Sequence, residues 1–237
     1  EQLRRRLVVS DVVNDEPWLS IIVPALNEAA VIEQTLAPLQ QARDQGVEVI
    51  LVDGGSDDDT RNLSRPMVDV LVEAQRGRAN QMNAGVTRAR APLLLFLHAD
   101  TLIDTDGISC LRHFPKERAW GRFDVRLSGG HYLFPVISWM MNWRSALSGI
   151  VTGDQGMVMH RSLFDAAGGF PAQPLMEDIA LSRELKRHCH PVRLGCHLTT
   201  DSRRWQRRGV WRTVCLMWWL RFSYFLGADP AELARRY

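Results

Sequence analysis

Three polar segments each follow an apolar run in this chain: Pro24 to Glu28 after Leu19–Val23, Asp53 to Asp59 after Val47–Val52, and His98-Ala99-Asp100-Thr101 after Leu93–Leu97. Carboxylates, an imidazole and glycines at strand ends are groups that hold a divalent cation and a phosphorylated ligand. In an open α/β sheet, ligands bind outside the carboxyl ends of the strands, so the three ends should line one crevice. His98 and Asp100 are potential metal ligands on that edge. A strand-ending Asp also caps the next turn, and the motif alone favours neither reading.

The elements that would position these groups follow from hydrophobic periodicity. Leu19–Val23 reads as a strand stopped by Pro24, Ala30 to Asp44 as a helix, and Val47–Val52 as a second strand. Asp58 to Ser64 reads as a helix, Val68 to Glu73 as a strand, Arg78 to Ala89 as a helix, and Pro92 to Leu97 as the central strand. Strands alternating with helices at short intervals predict parallel βαβ units. After Asp100 the pattern turns mixed: a helix at Ile108–Phe114, a strand at Trp120–Ser128, and an apolar helix at Tyr132–Leu147. A strand at Gly153–His160 and helices at Arg161–Ala167 and Glu177–His188 follow.

The segments Val23-Pro24-Ala25-Leu26-Asn27-Glu28, Val52 to Thr60 with its Asp53-Gly54-Gly55-Ser56 core, Gly77 to Gly85, Leu97-His98-Ala99-Asp100 and Met176-Glu177-Asp178 occur in that order. Together they resemble glycosyltransferase family 2, over about Leu19 to His188. The resemblance implies an α/β GT-A fold, a Rossmann-like nucleotide-binding sheet with a mixed C-terminal acceptor half. It also implies inverting transfer of a sugar from a nucleotide-sugar. It assigns Asp53 to a base N–H of a uracil-like ring, with Gly54 and Gly55 allowing close backbone approach. Pro24, Asn27, Glu28 and Asn83 would shape the nucleoside side. Arg78 would meet the base or diphosphate with its charged planar fork, or else be a solvated helix-start arginine.

A diphosphate leaving group gathers negative charge, which a divalent cation stabilises. Mn²⁺ or Mg²⁺ suits oxygen ligands, and the strand end His98-Ala99-Asp100 would deliver it. The family commonly has Asp where His98 stands. Asp100 is therefore the firmer ligand, and His98 is a ligand, a phosphate partner or strand-end packing. His197 is a further candidate ligand, although a lone histidine in a strand is more often structural. By resemblance Asp178 is the general base that takes the acceptor's proton, with Glu177 as its neighbour. At a helix start the same pair would complement the helix dipole. Gly153, Asp154 and Gln155 fall on the acceptor-side wall, or form a plain turn.

The division expected is a charged leader over 1–18, a transferase domain over 19–205 (nucleotide-sugar half 19–101, acceptor half 102–205), and an aromatic amphipathic helix over 206–237. Arg204 and Trp205 would reach the acceptor side. Trp211, Val214, Cys215, Trp218, Phe222 and Phe225 share one helical face. That face could sit in a membrane interface, but aromatic stripes at helical period more often mark packing or a homo-oligomer seam. Trp139, Met140, Met141 and Trp143 enlarge the apolar surface.

The chain has 237 residues, 46% hydrophobic, and a formal net charge of +2, which gives no reason to expect nucleic-acid binding. The four cysteines show no Cys-x-x-Cys spacing and read as reduced thiols. A cytoplasmic protein is expected, peripheral at the inner face of the membrane if the aromatic helix binds lipid. The expected activity is transfer from a UDP-sugar to a hydroxyl, carboxylate or phosphate, on an acceptor that is lipidic or isoprenoid, or small and soluble. A non-catalytic nucleotide-sugar-binding scaffold and a nucleotidyltransferase are the alternatives. Against the latter, no Gly-rich phosphate loop follows the first strand.

Overall fold

The computed structural model describes residues 16–237, the side chains of Arg204 and Arg207 excepted. The leader through residue 15, with any strand at Leu7-Val8-Val9, lies outside the described residues. The described strands are β1 (Leu19–Ala25), β2 (Val47–Asp53), β3 (Val70–Glu73), β4 (Leu93–Phe96), β5 (Thr101–Leu102), β6 (Trp120–Leu127), β7 (Met157–His160) and β8 (Val192–Thr200). They form one sheet in the order β3-β2-β1-β4-β7-β6-β8-β5. The first helices are α1 (Ile32–Leu36), α2 (Gln40–Arg43), α3 (Thr60–Ser64), α4 (Arg78–Arg88) and α5 (Thr105–Arg112). They are followed by α6 (Phe134–Ser148), α7 (Arg161–Ala166), α8 (Glu177–Leu185), α9 (Arg203–Arg208), α10 (Val210–Phe225) and α11 (Pro230–Arg236).

In the parallel half, β3-β2-β1-β4, the strands β2, β1 and β4 are buried on both faces because their residues alternate between two cores, and β3 is the half-buried edge. Leu19, Ile21, Val23, Val49, Leu51, Leu93 and Leu95 enter one core, beneath α1, α2 and α5. Ile22, Ile50, Val52, Leu94 and Phe96 enter the other, beneath α4, α7 and α8. The mixed half begins where β7 runs antiparallel to both β4 and β6.

Several boundaries differ from the sequence reading for local reasons. The helix expected over 30–44 is broken into α1, a 3-10 turn at Ala37–Leu39 and α2, since Pro38 has no N–H to continue the ladder. Pro24 does not stop its strand. It lies buried within β1, past Ile22, where pairing with β4 has ended and no donor is needed on that side. The Asp104 side chain accepts the Gly107 N–H, so α5 starts at Thr105, ahead of Ile108. Gly153–Gln155 is a 3-10 turn, and only Met157–His160 is strand. Residues 206–237 hold the end of α9 and two further helices, α10 and α11, rather than one. Cys110 of α5 and Cys196 of β8 are brought side by side, with a Cα–Cα distance of 6.7 Å.

The contact between α4 and the sheet sets how close that helix lies to the nucleotide-side loops. A Cβ on Gly85 would collide with Ile22 Cγ2 and come within 3.1 Å of Val52 Cγ2. Gly85→Ala should therefore destabilise the fold, because overpacking costs about 1–3 kcal/mol against roughly 1 kcal/mol gained in helix propensity. A denaturant midpoint equal to or above that of the unmutated chain would show that the helix can move away freely.

Candidate functional site

Parallel register sets Ala25 beside Asp53, so the loops after β1 and β2 leave the sheet together. Side chains then stitch them. The Asn27 carboxamide accepts the Asp57 N–H, the Ser56 hydroxyl accepts the Asn27 N–H, the Thr60 hydroxyl accepts the Glu28 N–H, and Asp58 accepts the Ala29 N–H. Gln81 of α4 donates from below to the carbonyls of Ala25 and Val52, each at 2.8 Å. Asn27 adopts φ 55° and Gly55 φ 87°, left-handed conformations that let both loops turn tightly.

Asp53 is fully buried, and its carboxylate accepts the N–H groups of Gly55 and Ser56 and the Ser56 hydroxyl. These hydrogen bonds organise the loop after β2. Asn83 is structural: its amide clamps both the N–H and the carbonyl of Phe170. Pro24 and Ala99 are buried in the sheet edge, and the Ala99 carbonyl accepts the Thr35 hydroxyl. Asn27 and Glu28 remain at the open edge.

One cavity brings together Arg78, His98, Asp100, Gly153, Asp154, Glu177, Asp178 and Trp205, which arrive from five separate segments of the chain. His98 Nδ1 lies 3.5 Å from Asp154 Oδ1. Its Nε2 side packs on Gly153, where any Cβ would strike the ring. The Gly153 N–H donates to Asp178 Oδ2 at 2.8 Å, and the Ile179 N–H to Oδ1 at 2.7 Å. Asp178 therefore points into the cavity from the N-terminus of α8, after Met176 in a left-handed conformation, φ 64°. Gln155 is fully buried and closes a capping box with Thr152, so it faces the protein and not an acceptor. Arg204 lies in α9, and its side chain is outside the described ones. His197 faces a different cavity, beside Asp124 and Arg193, and is not a ligand in this site.

Burial opposes charge on the His98 ring, but its hydrogen bond to Asp154 and the nearby charges of Asp154 and Asp100 outweigh that, raising its pKa above the ordinary 6.5. Burial would raise Asp154, yet the His98 hydrogen bond and charge bring it down to about 2. Burial followed by the Asp178 charge raises Glu177, against the pull of Arg78, whose Nη1 lies 3.9 Å away. Glu28 is raised by burial and then by Asp100. Arg203 spans this acidic edge, 2.7 Å from Asp201 and 3.9 Å from Glu28.

Two arginines that the motifs did not mark stand on the far side. Arg144 Nε is buried without a hydrogen-bond partner, and burial followed by the Arg221 charge lowers its pKa to about 10. Burial also lowers Arg221, while Asp178 and Asp154 act against it. Both line an apolar groove of about 520 Å³ between α6 and α10, walled by Trp139, Trp143, Leu147 and Trp218. Asp154, Trp205, Met217 and Arg221 belong to groove and cavity alike. Only contact across 77 residues of chain unites Arg144 with Arg221, so no local pattern could have shown the pair.

Among the described residues no group of three His, Cys, Asp or Glu side chains is arranged as a metal cage. His98 Nδ1 is taken by Asp154. Asp100 is a carboxylate of the kind that holds Mg²⁺ or Mn²⁺ together with phosphate oxygens and water, so a single protein ligand fits a cation carried with a diphosphate.

A half-parallel, half-mixed sheet with a charged cavity across its strand ends defines a GT-A type nucleotide-sugar fold. Residues 20–148, more than half of the chain, match glycosyl transferase family 2, and the chain belongs to that family. Among curated relatives, poly-beta-1,6-N-acetyl-D-glucosamine synthase of Staphylococcus aureus (strain COL) is 28% identical over 114 residues, 44% of this chain and 28% of the relative. The PGL/p-HBAD biosynthesis glycosyltransferase of Mycobacterium bovis (strain BCG / Pasteur 1173P2) is 33% identical over 123 residues, 46% of this chain and 48% of the relative. The matches thus span about half or less of each relative. Among solved structures, the mannosyltransferase PcManGT from Pyrobaculum calidifontis, in complex with GDP-Man and Mn²⁺, has a TM-score of 0.66 and 21% identity, covering 93% of this chain and 68% of that one. Glucosyl-3-phosphoglycerate synthase from Mycobacterium tuberculosis, with Mn²⁺, UDP and glucosyl-3-phosphoglycerate, has a TM-score of 0.57 and 19% identity, covering 78% and 71%. S. aureus TarS 1-349 with UDP-GlcNAc has a TM-score of 0.59 and 16% identity, covering 77% and 58%.

The His98–Asp154 pair makes a titration test. The stabilisation from His98, raised in the folded state, is complete below pH 6.5 and is lost as pH rises through its folded value. That from Asp154, depressed to about 2, is present above 3.8 and is lost as pH falls through 2. In Asp154→Asn, burial and Arg78 act on His98 with less opposition, and the imidazole midpoint followed by NMR should drop. An unmoved midpoint would show that the pair does not interact.

Proposed function

We propose that the chain is an inverting glycosyltransferase moving a sugar from a UDP-sugar to an acceptor oxygen. One observation carries the reading: a single cavity sets Arg78 and Asp100 against Asp178, which is held by the Gly153 N–H. Arg78 would pair with the diphosphate through its fork of N–H donors. Asp100 would hold Mn²⁺ or Mg²⁺, which when bound neutralises charge on the leaving diphosphate. Asp178 would take the proton of an acceptor hydroxyl as it attacks from the face opposite the diphosphate. Its two backbone donors hold the carboxylate in place and leave further lone pairs open to the acceptor. Glu177, whose pKa is raised by burial and then by the Asp178 charge, would sit beside it facing Arg78.

The UDP choice is supported by UDP in two of the neighbouring structures, and GDP-Man in the third keeps a guanine donor as the alternative. The groove that opens on Asp154, Trp205 and Arg221 supports an amphiphilic acceptor whose apolar part lies between α6 and α10. Arg144 and Arg221 would donate to a phosphate or carboxylate at its polar end.

Incubation with UDP-glucose and Mn²⁺ should release UDP, and Asp178→Asn should lower the rate by about 100-fold or more while leaving donor binding intact. Donor binding without turnover in the unmutated chain would favour a scaffold instead. Thermal stabilisation across UDP- and GDP-linked sugars, with and without Mn²⁺, should be largest for a UDP-sugar with metal, and Asp100→Asn should remove the metal-dependent part. A larger shift with GDP-mannose would overturn the uridine assignment.

A further inference from the structure

The face that α6 and α10 share is strongly apolar and open. Trp139 and Trp143 of α6 stack at 6.0 Å, and Trp211, Trp218, Phe222 and Phe225 of α10 are between 61% and 74% exposed. The buried side of α10 is different, formed by Val210, Thr213 and Leu220. The aromatic residues of the stripe, read from the sequence as packing or a homo-oligomer seam, therefore point away from the chain's own core. Single exposed apolar residues are ordinary on protein surfaces, but a contiguous aromatic surface marks a contact with something else.

Charge argues for what that something is. Arg208, Arg212, Arg235 and Arg236 gather around one depression beside α10. The Arg236 guanidinium lies 5.3 Å from the Trp219 ring centre, which ties this basic cluster to the edge of the aromatic face. Tryptophan with arginine is the combination that suits a membrane interface: rings at the headgroup level, guanidinium groups on lipid phosphates. A second copy of the chain would bring the same basic fringe and offer no complementary charge. Among the described residues no helix is long and apolar enough to cross a membrane, so the contact would lie in the plane of the surface.

We propose that the α6–α10 face docks the protein on an anionic lipid surface, with the groove between the two helices opening toward the bilayer. Docked in this way, the groove connects the lipid phase to the cavity that holds Asp178, and an acceptor embedded in the bilayer reaches the site without crossing water. The delivery step rests on the glycosyl-transfer reading; the docking itself does not.

Binding of the full chain to phosphatidylcholine vesicles with and without phosphatidylglycerol tests this by co-sedimentation. Association should require phosphatidylglycerol and weaken with salt. Arg235→Gln with Arg236→Gln should cost about tenfold or more, at roughly 1 kcal/mol per surface cation. Trp211→Ala with Phe225→Ala, at exposed positions outside the groove lining, should abolish sedimentation while thermal stability and UDP release in water stay unchanged. Absence of sedimentation by the unmutated chain, or sedimentation indifferent to both double variants, would overturn the proposal. So would a dimer in light scattering that these aromatic substitutions convert to monomer, which would make the face a self-association surface. Vesicle binding by a chain that releases no UDP would retain the docking and reject the catalytic reading.

Discussion

The backbone of Gly153 is where the parts of this site meet. Its N–H fixes Asp178, its missing side chain admits the His98 ring, and the turn it begins carries Asp154 back onto that ring. Sheet edge, turn and helix α8 are thus held by one residue that tolerates nothing larger. The strand end after β4 and the helix start at Glu177 are distant in sequence, and neither alone sets a distance across the cavity. A shift of this turn would move the proposed base, and the His98–Asp154 pair, together.

Electrostatics reinforces that geometry. Aspartates, glutamates and arginines crowd a partly buried volume, where an unpaired charge costs far more than it would in water. The protein meets the cost by pairing, across the cavity in His98 with Asp154 and Arg78 toward Glu177, and at its edge in Arg203 with Asp201. Where pairing is incomplete, the groups shift. Glu177 and Glu28 hold protons more tightly, and Arg144 and Arg221 hold theirs less tightly, as burial requires. The unsatisfied Arg144 Nε and the buried Arg221 place positive charge on the side where the apolar groove arrives.

The same helices make the site and the exposed surface. The α6 helix packs Phe134, Ile137 and Met141 inward while Trp139 and Trp143 face out. The α10 helix divides in the same manner, and the groove is the gap between the two. Orientation of the rings outward follows from which helix faces are taken, that of α6 by β6 and that of α10 chiefly by Leu175, Met176 and Ile179 and by Leu233 of α11.

Much of this was legible in the chain. Apolar runs closed by polar loops located the sheet edge, because residues that alternate between two cores leave their polar groups only at strand ends. Asp100, Arg78, Glu177, Asp178 and Asp154 could be named from those loops and from the family resemblance. Asn83 and Gln155 were also visible, but their types did not reveal that their amides are taken up by Phe170 and Thr152. His98 could be located but not given a partner, since Asp154 lies 56 positions further along the chain. Arg144 and Arg221 carried no motif, and the aromatic stripe of α10 was periodic without disclosing which way it faced. Periodicity and strand ends are local properties, fixed by neighbours in sequence. Pairing, burial and the direction of a helix face depend on which distant segments pack together, and only the tertiary structure decides that.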